Sequence, residues 1–386
     1  MANINQRDVQ SAIKESQARW MAGKTSLAEL SDAQFRAMQG VIDRKQALAR
    51  SAALAVAKEP VGATWPQSFD WRDQGKITSI QNQGGCGSCV SFAAIAALEA
   101  RILIQEGFTL DLSEGDLHFC SSHGANCDGW WPDAALDQLR DRGVCDEVTA
   151  PYTQGVCNAG DRSNRTVFTG GQRFWRSRDT MRVHISTVGP LIATMDVFSD
   201  FRYYHCGIYG HLTGDFVGAH AVCVIGYNDD EQYWICKNSW GNWWGSNGFF
   251  FIGYGQCGID DGMWEIDAPI TVPWGLRPKD QKDTKDTKDG KDKDKEAKDG
   301  KDHKDNKEED KATAGREKLI AKEKDQDLFD PVRLQISQLS QRVEEIARAV
   351  DGLAAQMAQG RSFISPEERP VVGDKALKQD GIDKPK

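Results

Sequence analysis

Cys89 is the residue best placed for nucleophilic chemistry, because it stands where a long apolar run begins. The run VSFAAIAALEARILI follows it, and Ser88, a good helix N-cap residue, precedes it. A cysteine in the first turn of a helix lies among unpaired backbone N–H groups at the positive end of the helix dipole, and both favour the thiolate. The pattern predicts a reactive sulfur, with an inert buried cysteine as the alternative.

Two residues far downstream could complete this chemistry. His220 begins a strand-like run in GAHAVCVIGY, 131 residues after Cys89, and Asn238 ends the next such run in DEQYWICKNSWGNWWG, 149 residues after Cys89. Nucleophile, base and orienting group are the parts that covalent hydrolysis requires. Each residue alone has an ordinary structural explanation: a satisfied polar group on a strand for His220, and a turn for the KNSWG stretch.

The segment QNQGGCGSCVSF resembles the active-site segment of papain-like cysteine peptidases, in which a downstream His and Asn complete the site. The resemblance implies that Cys89 is the nucleophile, that His220 forms an ion pair with it, and that Asn238 orients the imidazole. It also implies that the Gln83 side chain donates to the oxyanion hole. Val90 departs from the pattern, since the family usually carries Trp there.

The resemblance also implies which residues bind the substrate. Trp131 and Pro132 match positions that form a wall of the pocket for the residue preceding the scissile one, so an apolar or aromatic side chain is expected there. Core packing is the alternative for the paired tryptophans. Trp130 replaces the second glycine of the family's CxGG motif. The full set implied is Gly129, Trp130, Trp131, Pro132, Ala219 and Trp240, the last of which would shield the His–Asn hydrogen bond.

A comparison with cathepsin B, which the stretch MDVFSDFRYYHCGIYGHLTGDFVGAHAV resembles, bears on cleavage mode. No long insertion separates Cys127 from Trp131, so the occluding loop of cathepsin B is absent and an endopeptidase cleft open at both ends is expected. Gly262 stands where cathepsin B has an acidic residue. That position therefore gives no support for a basic preference.

The chain has ten cysteines, which are many for a reducing compartment. The resemblance implies disulfides between Cys86 and Cys127 and between Cys120 and Cys157, whereas a pairing of Cys206 with Cys257 is only suggested. Cys145 has no evident partner, and Cys223 and Cys236 are expected to be buried free thiols. The disulfide pattern suggests an extracellular or lumenal destination, but the N-terminus shows no signal peptide, so the localisation stays unknown.

Composition divides the chain into five parts. We expect an α+β papain-like domain with a helical left lobe and a β-barrel-like right lobe at 63–277. A helical, propeptide-like extension at 1–62 precedes it, with an ordinary helical extension as the alternative. A disordered Lys/Asp-rich linker at 278–312, an amphipathic or coiled-coil helix at 313–360 and a disordered tail at 361–386 follow it.

Periodicity predicts helices in both flanking parts. The N-terminal extension should form two helices, the first carrying Val9, Ile13, Trp20 and Met21, and the second starting at a capping box of Ser31 and Gln34. In the C-terminal part, residues 332–357 show a heptad seam that favours a parallel dimer, with higher-order homo-oligomers left open and an amphipathic helix packed on its own chain as the alternative. The seam residues are Val332, Ile336, Leu339, Val343, Ile346, Val350, Leu353 and Met357.

The sequence as a whole predicts a cysteine-type endopeptidase that hydrolyses peptide bonds through a thioester and needs no cofactor or metal. Its partners would be protein or peptide substrates. The net charge of −9 argues against nucleic acid, and no apolar run is long enough for a membrane span. Two alternatives stay open: a catalytically silent peptide-binding scaffold oligomerised by its C-terminal helix, and an acyl transferase that uses the same thioester.

Overall fold

Residues 4–54 and 64–278 are the parts of the chain that the computed structural model describes, and they belong to one compact unit. The predicted linker from residue 279 onward, the 313–360 helix with its 332–357 seam and the 361–386 tail lie outside the described residues. Among the helices that are described, none combines the length and apolar character needed to cross a bilayer.

A buried helix forms the centre of the helical lobe. It begins at Cys89, and its side chains are buried continuously as far as Leu103, as expected for a helix that is apolar on every side. Gly107, at a left-handed φ of 80°, ends it. The described helices are α1 Gln6–Ser16, α2 Asp32–Ala37, α3 Arg44–Ser51, α4 Cys89–Glu106, α5 Glu114–Phe119, α6 Pro132–Asp141 and α7 Arg178–Thr187.

The second lobe is built on a nine-stranded, mostly antiparallel sheet in the order β1-β7-β10-β9-β8-β6-β11-β5, with β2 paired to β8. A separate two-stranded sheet joins β3 to β4. The strands are β1 Trp20–Ala22, β2 Ser68–Asp70, β3 Val144–Cys145, β4 Thr166–Val167, β5 Gly171–Trp175, β6 Leu191–Phe198, β7 Tyr204–Tyr209, β8 Phe216–Asn228, β9 Tyr233–Lys237, β10 Phe249–Gly253 and β11 Met263–Asp267. Together, the two lobes give the α+β arrangement that the sequence predicts.

Two hydrophobic clusters hold this architecture together. One joins α4 and α6 to the facing side chains of β8 and β11, and the other is rich in aromatic residues on the opposite side of the sheet. The N-terminal segment contributes to both, since Ala47 belongs to the first cluster, and Val9, Trp20 and Phe35 belong to the second. Burying one large apolar side chain is worth roughly 1.5–3 kcal/mol, so this segment is held as part of the core.

The N-terminal segment differs in detail from the prediction. Gln17, at a φ of 54°, ends α1, and Trp20 and Met21 lie in β1 instead of a helix. They pair antiparallel with β7, which satisfies backbone groups that a helix would satisfy internally. The capping box of Ser31 and Gln34 is present at the start of α2.

Candidate active site

Cys89 is the first residue of α4 and is fully buried. The expected cap is absent, because the Ser88 hydroxyl bonds to the Tyr152 hydroxyl at 2.8 Å and makes no side-chain cap to the helix. The Cys89 sulfur accepts hydrogen bonds from two backbone N–H groups outside its helix. Gly40, in the N-terminal segment, donates at 3.3 Å, and Ala221, in β8, donates at 3.4 Å.

His220 immediately precedes Ala221, so the strand that carries this imidazole passes beside the sulfur. Its Nε2 lies 2.8 Å from the Asn238 side-chain oxygen. That oxygen also accepts the Ser239 backbone N–H at 2.8 Å, which identifies it as an acceptor. His220 therefore donates through Nε2, and Nδ1 is the nitrogen left to accept a proton. Trp240 covers the pair, with its ring centroid 4.6 Å from that of His220.

Burial keeps both reactive groups uncharged in this form of the chain. Desolvation raises the pKa of the Cys89 thiol to about 11, although the surrounding N–H groups act in the opposite direction. Desolvation also lowers the pKa of His220 to about 4, against the opposing effect of its bond to Asn238. The sequence pattern favours a thiolate, and the structure differs because the sulfur is fully buried.

Gln83 lies where its amide can face a bound carbonyl. Its Nε2 donates to the Met38 carbonyl at 2.9 Å and to the Cys86 carbonyl at 2.8 Å, while its Oε1 accepts from Ser239 Oγ at 2.6 Å. The carbonyl oxygens of Met38 and Cys86 only accept, so the amide nitrogen is the end of Gln83 that faces them. A carbonyl of the N-terminal segment thus occupies the donor that the resemblance assigns to the oxyanion hole.

The backbones of both cleft walls hold the segment. Trp130 donates its backbone N–H to the Gly40 carbonyl at 2.8 Å, and Val41 donates to the Ala219 carbonyl at 3.0 Å. Gly129, at a φ of 125°, lies so close that a Cβ would come within 2.7 Å of the Gly40 oxygen. A side chain at this position would exclude the segment, which explains why the position requires glycine.

The side chains of the tryptophan pair have separate roles. Trp130 is buried, and its indole N–H donates to the His123 carbonyl at 3.1 Å. Trp131 lies under the Arg50 guanidinium, at 5.1 Å from the ring centroid. Pro132 is the first residue of α6 and is buried, and Val90 is fully buried in the α4 core.

Two disulfides join Cys86 to Cys127 and Cys120 to Cys157, the pairings that the resemblance implies. The suggested pairing of Cys206 with Cys257 is not formed, and both are free thiols. Cys206 lies in β7, opposite Met21 of β1, whereas Cys257 lies in the 3-10 turn Gln256–Gly258. Cys145, Cys223 and Cys236 are buried and free.

Sequence reasoning did not find three residues that complete the site. Ser239 bonds to the Gln83 amide, and the sequence could have indicated it because it lies in the KNSWG stretch beside Asn238. Gly40 and Met38 touch the sulfur and the Gln83 amide, but no local pattern marks them. Among the described residues, no group of three or more His, Cys, Asp or Glu side chains is arranged to hold a metal ion.

Comparisons with known proteins agree with this geometry. Residues 65–265 match the papain family of cysteine proteases. Fruit bromelain from Ananas comosus is 37% identical over 207 residues, which cover 50% of this chain and 58% of that protein. Macrodontain-1 from Ananas macrodontes is 38% identical over 205 residues, which cover 50% of this chain and 94% of that protein. The chain thus spans little more than half the length of fruit bromelain.

A solved structure extends the comparison. The digestive procathepsin L 3 of the Tenebrio molitor larval midgut superimposes with a TM-score of 0.58 and 26% identity, over 68% of this chain and 88% of that one. The fold, the Cys–His–Asn grouping and the matched length together define the class. The chain belongs to the papain family of cysteine proteases, which are hydrolases of peptide bonds. These matches do not favour the catalytically silent scaffold.

Proposed function

We propose that this chain is a cysteine endopeptidase in a latent form, in which residues 4–54 block the cleft. The observation that carries the proposal is the Gly40 N–H on the Cys89 sulfur at 3.3 Å, combined with the Met38 carbonyl on the Gln83 amide. The segment occupies both the nucleophile and the proposed oxyanion donor. It therefore excludes any substrate while it stays bound.

The orientation of the segment explains why it would not be cleaved. An amide N–H faces the sulfur and donates to it, so the segment offers no carbonyl carbon for attack at that point. Burial raises the pKa of the thiol and so favours its protonated form. Departure of the segment would let water reach the sulfur and remove the main cause of the raised pKa.

The proposed reaction uses four side chains. His220 Nδ1 takes the Cys89 thiol proton, and the thiolate attacks the peptide carbonyl while the Cys89 backbone N–H and Gln83 Nε2 hold the oxyanion. His220 then gives its proton to the leaving amine as the C–N bond breaks, leaving a thioester. Water, deprotonated by His220, attacks the thioester, and the returning proton regenerates the thiol. Asn238 holds the imidazole in the required tautomer.

Two observations support latency and internal cleavage. The likeness to procathepsin L 3, whose name marks it as a proform, covers 68% of the chain, more than residues 65–265 can supply, so it extends beyond the matched family region. Only three residues separate Cys127 from Trp131, so no inserted loop closes the cleft at this point. Once the segment has left, a cleft without such a loop accepts a chain that continues in both directions, as an endopeptidase requires.

The test is covalent labelling with an active-site epoxide that alkylates papain-type cysteines. The full chain is purified and labelled before and after limited proteolysis within residues 55–63. We expect labelling and hydrolysis of a quenched peptide after proteolysis only, in wild type and in Cys206→Ala, a matched variant that loses a free thiol elsewhere. Cys89→Ala should lose both. An adduct on another cysteine, or no adduct after the segment has left, would refute the proposal.

A further inference from the structure

Arg44 is a cation with a largely covered side chain, in the part of the N-terminal segment that follows the cleft. Its side chain is only 9% exposed. Its Nε and Nη2 bind the two oxygens of Asp196 at 2.9 and 3.1 Å, and its Nη1 binds Asp261 at 2.7 Å and the Gly258 carbonyl at 3.1 Å. The bidentate pair and the additional acceptors match the planar fork of a guanidinium.

The protein surface around this guanidinium is shaped to receive it. Gly258 has a φ of 66°, and a Cβ there would lie 2.4 Å from Arg44 Nη2, so a side chain at this position would displace the guanidinium. Asp260, the neighbour of Asp261, is already paired with Arg178 at 3.0 Å. Across the described residues, by contrast, Arg44 is the only side chain that binds the carboxylates of Asp196 and Asp261.

This acceptor set lies on the wall of the cleft, beside β8, the strand that carries His220. Asp196 in β6 is the register partner of Ala219 in β8, the residue before His220, and the Ala219 carbonyl holds the segment at Val41. Arg44 and Asp196 also line a cavity of about 910 Å³ between the segment and this wall. A peptide that replaced the segment would pass the same carboxylates within a few residues of the sulfur.

We propose that Asp196, Asp261 and the Gly258 carbonyl form a guanidinium-binding subsite, occupied by Arg44 in the latent chain and by a substrate arginine in the active one. The inference rests on the proposed peptidase function and adds a substrate class to it. Departure of the segment leaves two neighbouring carboxylates without a cation, and an arginine from the substrate restores the lost pairing. Arginine is favoured over lysine because the contact with Asp196 is bidentate.

This subsite is different from position 262, where cathepsin B has an acidic residue and this chain has glycine. Gly262 carries no side chain, and a Cβ there would lie 2.1 Å from the Phe174 ring, so no acidic residue fits. Recognition of a basic residue therefore has to come from carboxylates elsewhere on the wall. Asp196 and Asp261 supply them from a strand and a turn that only the fold brings together.

The experiment compares arginine with citrulline, its uncharged analogue of nearly equal shape. The full chain is activated by cleavage within 55–63 and assayed with quenched peptides that carry one or the other at each of four positions on either side of the scissile bond. At one position we expect kcat/KM to be roughly tenfold or more higher for arginine, as befits charge-assisted hydrogen bonds. The ratio should approach one in the Asp196→Asn, Asp261→Asn double variant.

Matched variants separate the effect of the subsite from the effect of removing any negative charge near the cleft. Asp128 lines the same cavity but does not contact Arg44, so Asp128→Asn should keep the arginine preference. If the double variant does not fold, Asp261→Asn replaces it, because that side chain is half exposed and should lower the ratio by itself. A ratio near one at every position in active wild type, or an unchanged ratio in a folded variant, would overturn the subsite.

Binding separates this inference from the proposed reaction. The cleaved Cys89→Ala chain is titrated with the same arginine and citrulline peptides by fluorescence anisotropy. Tighter binding of the arginine peptide without hydrolysis by wild type would refute the peptidase and keep the subsite. Hydrolysis by wild type with equal affinities in Cys89→Ala would keep the peptidase and show that the carboxylates serve only to hold Arg44.

Discussion

At the scale of single residues, the environment of Cys89 decides whether the sulfur can react. Helix position and N–H donors favour the thiolate, but burial outweighs them and raises the pKa to about 11. His220 Nδ1, although aimed by Asn238, has no hydrogen-bond partner among the described residues. In this form, burial disfavours both the thiolate and the imidazolium that the proposed catalytic pair would need.

The reactivity of the sulfur should therefore depend on the segment. A raised pKa means a smaller thiolate fraction at a given pH, so alkylation of Cys89 by iodoacetamide in the uncleaved chain should be slow at pH 7 and rise steadily toward pH 11. After cleavage the rate at pH 7 should increase by roughly a hundredfold, since each lost pKa unit is worth about tenfold. Alkylation rates measured by mass spectrometry across this pH range test this, with the rate in Cys89→Ala subtracted to remove alkylation of other cysteines. Identical profiles before and after cleavage would contradict it.

At the scale of elements, the path of the segment between α2 and α3 depends on one close approach. A Cβ added to Gly40 would lie 2.0 Å from the Gly87 carbonyl oxygen and 2.4 Å from its carbon. Both atoms are backbone and belong to the loop that leads into α4, so neither can move freely. Glycine at this position lets the segment reach the sulfur.

Gly40→Ala should weaken the proposed inhibition while Cys89, His220 and Asn238 stay unmutated. Because the methyl group meets backbone, we expect the segment to lift from the sulfur and the uncleaved chain to be labelled by the epoxide at least about tenfold faster. Gly23→Ala, in the same segment, is the matched control, because its Cβ would lie 3.1 Å from the His205 side chain, which can adjust. Equal labelling rates in the two variants would show that Gly40 does not govern access.

At the scale of the whole molecule, covalent links are confined to the helical lobe and its loops. Cys86–Cys127 ties the active-site loop to the cleft wall, and Cys120–Cys157 ties the end of α5 to the loop before β4. The sheet has no disulfide, and its free thiols lie in strands or turns. Hydrogen bonding and aromatic packing hold that lobe, and the N-terminal segment adds β1 to its edge.

Thiol counting tests this arrangement. Ten cysteines with two disulfides leave six free thiols. Unfolding in guanidinium without reductant should release six equivalents in a DTNB titration, and the Cys206→Ser, Cys257→Ser double variant should release four. A value of four both for wild type and for the double variant would show that Cys206 and Cys257 pair after all.

The sequence alone indicated the residues of the proposed chemistry, because each is marked by its local context. Cys89 opens an apolar run, and His220 and Asn238 lie in strand-like runs, so element and residue type can be predicted without knowing the fold. Resemblance then supplied the family. A local pattern of this kind also found the capping box of Ser31 and Gln34.

Only the tertiary structure decided how the site is controlled, because control depends on contacts between distant parts of the chain. Arg44 and Asp261 lie 217 positions apart in the sequence. Trp20 follows a helical pattern in the sequence, but in the structure it lies in a strand that pairs with β7. The pKa of Cys89 follows from its burial in the folded chain, where Gly40, 49 positions away in sequence, contacts the sulfur. Burial and long-range pairing arise only when the chain folds, so no local pattern could predict them.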